Sequence, residues 1–439
     1  MSWLWRFRCR MWLRSSMSAA PITSMAAAML SGPLVRWLDK QTKWTLLGYG
    51  ADGASAVVGA LSASILSLLV FSFSIMLLAV QVAGGQLSPR IVARIFEARI
   101  IKVALSSFVF SFIYSLAVLG RIEGRVPQLP ILVAVISCCS SIALFLIVIQ
   151  RASRSFRPVV MLTEVAGATR AVIASLYPDS FQASEPAQPA VLKPVARSVL
   201  HSGSPGAVLA IDTAGLVGIA AKVGCVIEFV PQVGDFLATG EEMFLIHGGS
   251  PGSIDDSALR NCVALGPERT LDQDPAFGFR IIVDISIKAL SPAINDPTTG
   301  ALAIDQLDHL LHLLGGRRLG SGVARDSAGE TRLIYRTPDW EDFVTLAVTE
   351  IRLCGATSPQ VTRRLQMMFE HLLKVVPAER AAALRTQEKL LARTIERSYA
   401  DAEDRALARV SDEQGFGSRQ PLYHPGSKQP ASEGQGKNR

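Results

Sequence analysis

The 37 residues from Gly53 to Pro89, bounded by Asp52 and Arg90, contain no charged side chain. About 20 apolar residues suffice for a helix to cross the hydrocarbon of a bilayer. This run of mostly Ala, Val, Leu, Ile, Phe and Ser is therefore long enough to span with turns to spare. A soluble helix of the same composition would need burial on every side. Within the run Ser55, Gly59, Ala63 and Ser67 recur at every fourth position, on one helix face. Small residues in such a stripe let another backbone approach closely in lipid, and the Ser hydroxyls can bond across the contact. The stripe is the expected helix-packing site, and with it the chain is expected to form a homo-oligomer. A water-lined pore is the rarer use of the same pattern.

Three further uncharged runs flank this one: Ser15 to Val35, Val103 to Gly120 and Val126 to Gln150. Together they predict a transmembrane domain over 15–157 with about four helices, at 15–35, 53–83, 103–120 and 130–150. The first run is the least apolar and carries Pro21 and Pro33. A signal peptide is the competing reading there; a retained span is favoured because no short apolar core precedes an A-x-A site. Between the second and third spans, Arg90, Arg94, Arg99 and Lys102 recur as on one face of an interfacial helix. The N-terminus, this loop and the stretch after the fourth span hold eleven Lys and Arg, against five in the opposite loops. The positive-inside rule then puts both termini in the cytoplasm, as in a multi-pass protein of the cell inner membrane with the lipid bilayer as its partner.

The net charge of +7 does not signal nucleic acid. Residues 1–160 carry 16 Lys and Arg against 4 Asp and Glu, and the remainder 28 against 33. The basicity belongs to the membrane half, so no nucleic-acid partner is expected. The six cysteines have no CxxC or His-linked metal spacing.

Beyond the spans the chain reads as a soluble α+β half. Residues 158–206 are a juxtamembrane helix near the bilayer and a Pro/Ala/Ser linker. From 207 to 250 short β-rich runs alternate with Gly turns, predicting a small β-sandwich-like module. Residues 251–410 read as a helical cytosolic subdomain, and 411–439 as a disordered tail. The β module, through Val233-Gly234-Asp235-Phe236-Leu237 and Gly240-Glu241, resembles lipoyl-carrier and efflux-adaptor modules. The lysine such modules modify stands on a hairpin tip. Lys222 lacks that context, so no lipoyl or biotinyl attachment is expected.

The most distinctive local chemistry lies in RTLDQDPAFGFRIIVDISIKALSPAINDPTTGALAIDQLDHLL, Arg269 to Leu311. Ser291-Pro292 and Asp296-Pro297 each place a capping residue before a proline suited to a first helical position. The segment reads as helix, tight break and second helix. Asp272, Asp274, Asp284, Asn295, Asp296 and Asp305 form its polar set. Asp274, Asp284, Asn295 and Asp296 are the candidate ligand site, with oxygens suited to Mg²⁺ or Ca²⁺. The plainer reading makes them caps and turn residues, and no cofactor is assigned. His309, His312 and His371 match no metal pattern and read as ordinary helix residues.

Three segments carry a specific resemblance: QVAGGQLSPR (Gln81 to Arg90), the Arg269 to Gly300 motif, and EIRLCGATSPQVTRRL (Glu350 to Leu365). With them the chain resembles a bacterial family of predicted membrane proteins catalogued as domain of unknown function 2254. The resemblance implies several N-terminal spans and a soluble C-terminal half, and no substrate, cofactor or catalytic residue. The weak, Pro- and Ala-rich first span departs from the family pattern.

No P-loop, GxSxG or dinucleotide fingerprint occurs, so no enzyme activity is expected. Two functions fit: a membrane-anchored scaffold or ligand-responsive module with a cytosolic C-terminal domain, or a channel or transport unit gated by that domain. The spans lack the Asp, Glu, Lys, Arg and His that mark ion pathways, which favours the first. A polar path lined by Ser55, Ser62, Ser72, Ser74 or Gln81 would favour the second.

Overall fold

Long apolar sequences fold into long helices here, and the computed structural model describes residues 2–42, 48, 50–86, 99–122, 126–155, 157–182, 193–320 and 322–415. Helix α1 (Trp3–Ser15) starts at Ser2, whose Oγ accepts a bond from the Trp5 amide. Helices α2 (Ala19–Thr42), α3 (Ala51–Gln86), α4 (Arg99–Leu119) and α5 (Gln128–Ser155) form a bundle in which α4 touches all three others. Ala28, Ala54, Val58, Tyr114, Val118 and Ile131 fill one end of it. Ile65, Ala104, Phe108 and Cys138 fill the other. The outside is apolar as well: Leu30, Leu34, Val70, Phe71, Leu77, Ile136 and Leu146 are exposed. A surface of that kind suits lipid rather than water.

Among the described residues four helical stretches are long and apolar enough to cross a membrane: Ala51–Leu78, Arg99–Leu119, Gln128–Arg151 and Pro158–Leu176. Three coincide with expected spans. The fourth does not, and the span expected at 15–35 is missing from the set. Helix α2, which holds residues 19–35 of it, carries Arg36, Asp39 and Lys40 at its far end, and packs in the bundle all the same. The Pro158–Leu176 helix (α6) was expected to pack beside the bilayer. It instead buries Met161, Leu162, Val165, Ala166 and Ile173 in the core of the C-terminal region. Apolar composition alone cannot separate the two cases, because a core helix and a lipid-facing helix meet equally apolar surroundings.

Among the described residues the C-terminal region holds two sheets. Strands β1 (Val195–Leu200), β2 (Gly206–Ile211), β3 (Val226–Gln232), β4 (Phe236–Leu237), β5 (Glu242–His247) and β6 (Val263–Gly266) are joined by β7 (Val323–Arg325) and β8 (Thr331–Arg336). One sheet has the order β1-β5-β3-β8-β7, antiparallel except for the β3–β8 pair, and the other β4-β2-β6. The expected sandwich-like module over 207–250 is therefore incomplete by itself. Its sheet takes β7 and β8 from a region expected to be helical, where Leu333 is fully buried beside Ile227. A second departure lies inside the module, where Thr213–Val223 is helix α7 rather than strand. Asp212 caps its start by accepting the Gly215 amide at 3.0 Å, and Gly224 ends it in the left-handed region at φ +67°, the usual place for glycine at a helix C-terminus. Lys222 lies in the last turn of this helix and on no hairpin.

After the short helix α8 (Asp256–Arg260), six further α-helices follow among the described residues: α9 (Pro275–Ala289), α10 (Pro297–Gly315), α11 (Trp340–Cys354), α12 (Pro359–Val375), α13 (Ala381–Ser398) and α14 (Ala402–Ala408). With α6 they enclose one large core around Phe279, Leu307, Phe343 and Phe369. The expected interfacial helix before Arg99, the middle of the linker (183–192) and the tail beyond 415 lie outside the described residues.

Candidate functional site

The Arg269 to Gly300 motif is the joint between the three-stranded sheet and the helical core. The Arg269 side chain donates to the Gly234 carbonyl at 2.5 Å. The Gln273 amide grips one residue of β2 twice, accepting from the Ile211 N–H at 3.0 Å and donating to the Ile211 carbonyl at 3.2 Å. Asp274 caps α9, its Oδ1 accepting the Phe277 amide at 2.9 Å. Only 4% of Asp274 is exposed. Its Oδ2 has no hydrogen-bond partner among the described residues, with Arg269 4.0 Å away. Burial raises the Asp274 pKa above the ordinary carboxylate value, the cap bond and Arg269 opposing the rise.

The other three residues of the expected ligand site lie elsewhere. Asp284 sits midway along α9 and accepts from Arg280 at 2.7 Å; Arg280 also pairs with Glu350 of α11. These two carboxylates raise the Arg280 pKa, and Arg280 holds Glu350 below the usual range. Asn295 occupies the break between helices with φ +49°, a conformation that Asn tolerates better than most residues. Asp296 caps α10 through the Thr299 amide at 3.0 Å and the Thr299 hydroxyl at 2.6 Å. Asp274 and Asp296 stand at opposite ends of the 15-residue helix α9, about 22 Å at 1.5 Å per residue. The four residues therefore do not converge. Asp272 accepts from Thr270, and Asp305 pairs with Arg364. Among the described residues no three His, Cys, Asp or Glu side chains gather as metal ligands.

One cluster had no local signal. His371 on α12 places Nδ1 2.9 and 2.8 Å from the two oxygens of Asp308 on α10, and the His312 ring lies 5.3 Å from the His371 ring. Asp308 and His312 are four residues apart, but His371 comes from 59 positions beyond His312, a separation that no spacing rule detects. Burial raises the Asp308 pKa, against the His371 hydrogen bond.

In the bundle the buried face of α3 is Ala54, Val58, Ser62 and Ile65, one position away from the expected stripe. Ser55 and Gly59 are half-buried and Ala63 and Ser67 exposed, so the stripe opens outward at its second half. A Cβ on Gly59 would meet nothing within 4 Å. Ser62, Ser72 and Ser74 donate to carbonyls four residues back in their own helix. The buried Ser141 hydroxyl lies 2.9 Å from those of Ser107 and Ser111. Asp39 reaches from α2 to accept the Leu129 amide at 2.8 Å, capping α5 from another helix.

Residues 14–371 match the family described as "Predicted membrane protein (DUF2254)". The chain belongs to that family. It is 27% identical over 412 residues to the uncharacterized protein Rv1290c of Mycobacterium tuberculosis (strain H37Rv), covering 90% of this chain and 79% of the relative. The uncharacterized protein Mb1321c of Mycobacterium bovis matches to the same extent. No solved structure matches the chain significantly. The family description agrees with the bundle in what it asserts, membrane residence, and assigns no activity to the motif.

Proposed function

We propose that the bundle is an anchor and that the soluble half is the working part, a cytosolic scaffold or ligand-responsive module. The observation that carries this reading is how the bundle interior is filled. Tyr114, Phe108, Ile65, Ile131 and Val58 pack its centre, all at most 2% exposed. The hydroxyls of half-buried Ser107 and of buried Ser111 and Ser141 face one another, and those of Ser106, Tyr114 and Ser115 are buried among the helices without a hydrogen-bond partner among the described residues. Hydroxyls bonded to one another and enclosed by apolar side chains form a packing contact, whereas a conduit needs polar groups that follow one another along the axis. The motif supports the same reading, because Arg269, Gln273 and Asp274 all serve to fasten the sheet to the helices. Catalysis is no part of the proposal, and Mg²⁺ or Ca²⁺ is not among its requirements.

A conduit assembled between copies is the second reading, favoured by the outward half of the Ser55–Ser67 stripe. Reconstitution into vesicles holding a pH-sensitive or K⁺-sensitive dye separates the two. The anchor predicts leakage equal to that of empty vesicles at every protein density. A protein-dependent flux that falls in Gly59→Leu would replace the anchor with the conduit.

A further inference from the structure

Helix α1 has two apolar faces, and only one is covered by protein. At 3.6 residues per turn, Trp3, Leu4, Phe7 and Met11 share one side, and all four pack against Ala207, Leu209, Ala210 and Ala264 of the three-stranded sheet. The opposite side carries Trp5, Cys9, Trp12 and Leu13. Trp5 is 49% exposed, Trp12 59% and Leu13 61%. Exposed Arg6, Arg8 and Arg10 lie between the two faces, Arg6 and Arg10 along one margin and Arg8 along the other.

We infer that this second face docks on the anionic headgroup surface of the bilayer holding the bundle, so that α1 is a wedge between the sheet and the lipid. Position carries the argument. The Leu13 carbonyl lies 3.4 Å from the Lys102 ammonium, in the first turn of α4. Three residues after α1 ends, α2 begins, with Ile22, Met25, Met29 and Leu30 exposed along its length. The uncovered face of α1 thus continues the outward apolar surface of the bundle at the end where α2 and α4 begin. The chemistry fits that depth: indole rings settle at the headgroup level. Arginines on the margins can lay their stems along the apolar face and keep the guanidinium among lipid phosphates. A helix that is apolar, basic and parallel to the surface is the usual form of such a contact.

The inference rests on the bundle lying in lipid, and the test keeps the two apart. Full-length protein is placed in nanodiscs of brominated phosphatidylcholine, with or without phosphatidylglycerol, and tryptophan quenching is compared between the native chain and Trp5→Ser/Trp12→Ser. Trp3, Phe7 and Met11 are untouched in that variant, so the contact with the sheet survives. The native chain should show quenching that the variant has lost, larger with phosphatidylglycerol and reduced by salt. Trp37, exposed on α2, should remain quenched in both and reports the bundle itself. Equal quenching in native and variant chains, with Trp37 still quenched, overturns the inference. A fall in oligomer size in the variant also overturns it, since a second copy would then be the cover. If the variant does not fold, hydrogen exchange of residues 3–15 in the native chain decides. Protection should rise with anionic lipid, and equal protection in neutral and anionic discs overturns the docking.

Discussion

Asp274 shows how one side chain can serve as a cap and carry an electrostatic cost at once. One oxygen satisfies the first turn of α9, while the other is buried against Gly234 and Arg269 without a hydrogen bond. Because burial raises its pKa in the fold, the folded chain holds this proton more tightly than the unfolded one. Stability attributable to Asp274 is then greatest below the ordinary carboxylate pKa and is lost as pH climbs from there through the raised value. Asp274→Asn keeps an oxygen for the Phe277 amide and has no charge to bury. It should melt above the native protein near neutral pH, the gap closing as pH falls below the carboxylate range. Asp274→Ala loses the cap and should be less stable by about 1 kcal/mol. Melting temperature of detergent-solubilised protein against pH measures both. A variant that tracks the native chain in parallel at every pH would show the buried charge to be fully compensated.

At the level of elements, the sequence signalled best where a local rule suffices. Asp296-Pro297 announced the start of α10, since capping and a fixed proline φ act within four residues; Ser291-Pro292 marks the break but caps no helix, the Ser291 hydroxyl donating instead to the Lys288 carbonyl. The three runs without charge announced α3, α4 and α5 for the same reason. Helix α7 is not legible locally because its Gly215, Gly218 and Gly224 look like strand turns, whereas Gly224 alone terminates anything and Leu216 and Ala220 pack at helical spacing. Strands β7 and β8 were hidden because a short edge pair is fixed by its parallel partner β3, about a hundred residues earlier. The acidic residues were legible as candidates but not as a site, because the length of α9 that separates them enters only with the fold. Gly278 marks the closest approach of α9 to α6. A Cβ there would collide with the Thr169 hydroxyl and lie 2.7 Å from its methyl and 2.8 Å from its Cβ. Gly278→Ala must push the two helices apart, and overpacking of this kind costs about 1–3 kcal/mol. Thermal melting should fall accordingly. Thr169→Ala in the same chain should restore part of the loss but not all of it, since the Thr169 Cβ position remains. An unchanged melting temperature in Gly278→Ala would mean that α6 is not held in the core.

For the whole molecule, the contact between α1 and the sheet constrains topology independently of charge counting. Helix α1 precedes every bundle helix, and the sheet follows all of them, yet Trp3, Leu4, Phe7 and Met11 touch β2 and β6. Chain ends that meet must lie on the same side of a membrane, so the number of crossings between them is even. Counting α3, α4 and α5 alone gives an odd number. Adding α6 would make it even, but one face of α6 packs on α9 and α10 in the core of the C-terminal region. Adding α2 also makes it even, and the exposed Ile22, Met29, Leu30, Leu34 and Trp37 of α2 give it a lipid-compatible surface. Four crossings by α2 to α5 are therefore expected, and from the excess of Lys and Arg on the α1 side the positive-inside rule predicts that this side faces the cytoplasm. Reporters active only outside the cytoplasm check this directly, fused after Leu119 at the end of α4 and after Ser155 at the end of α5. Activity is expected at Leu119 and none at Ser155. The reverse pattern would turn the molecule over in the membrane, and activity at both sites would mean that α5 does not cross.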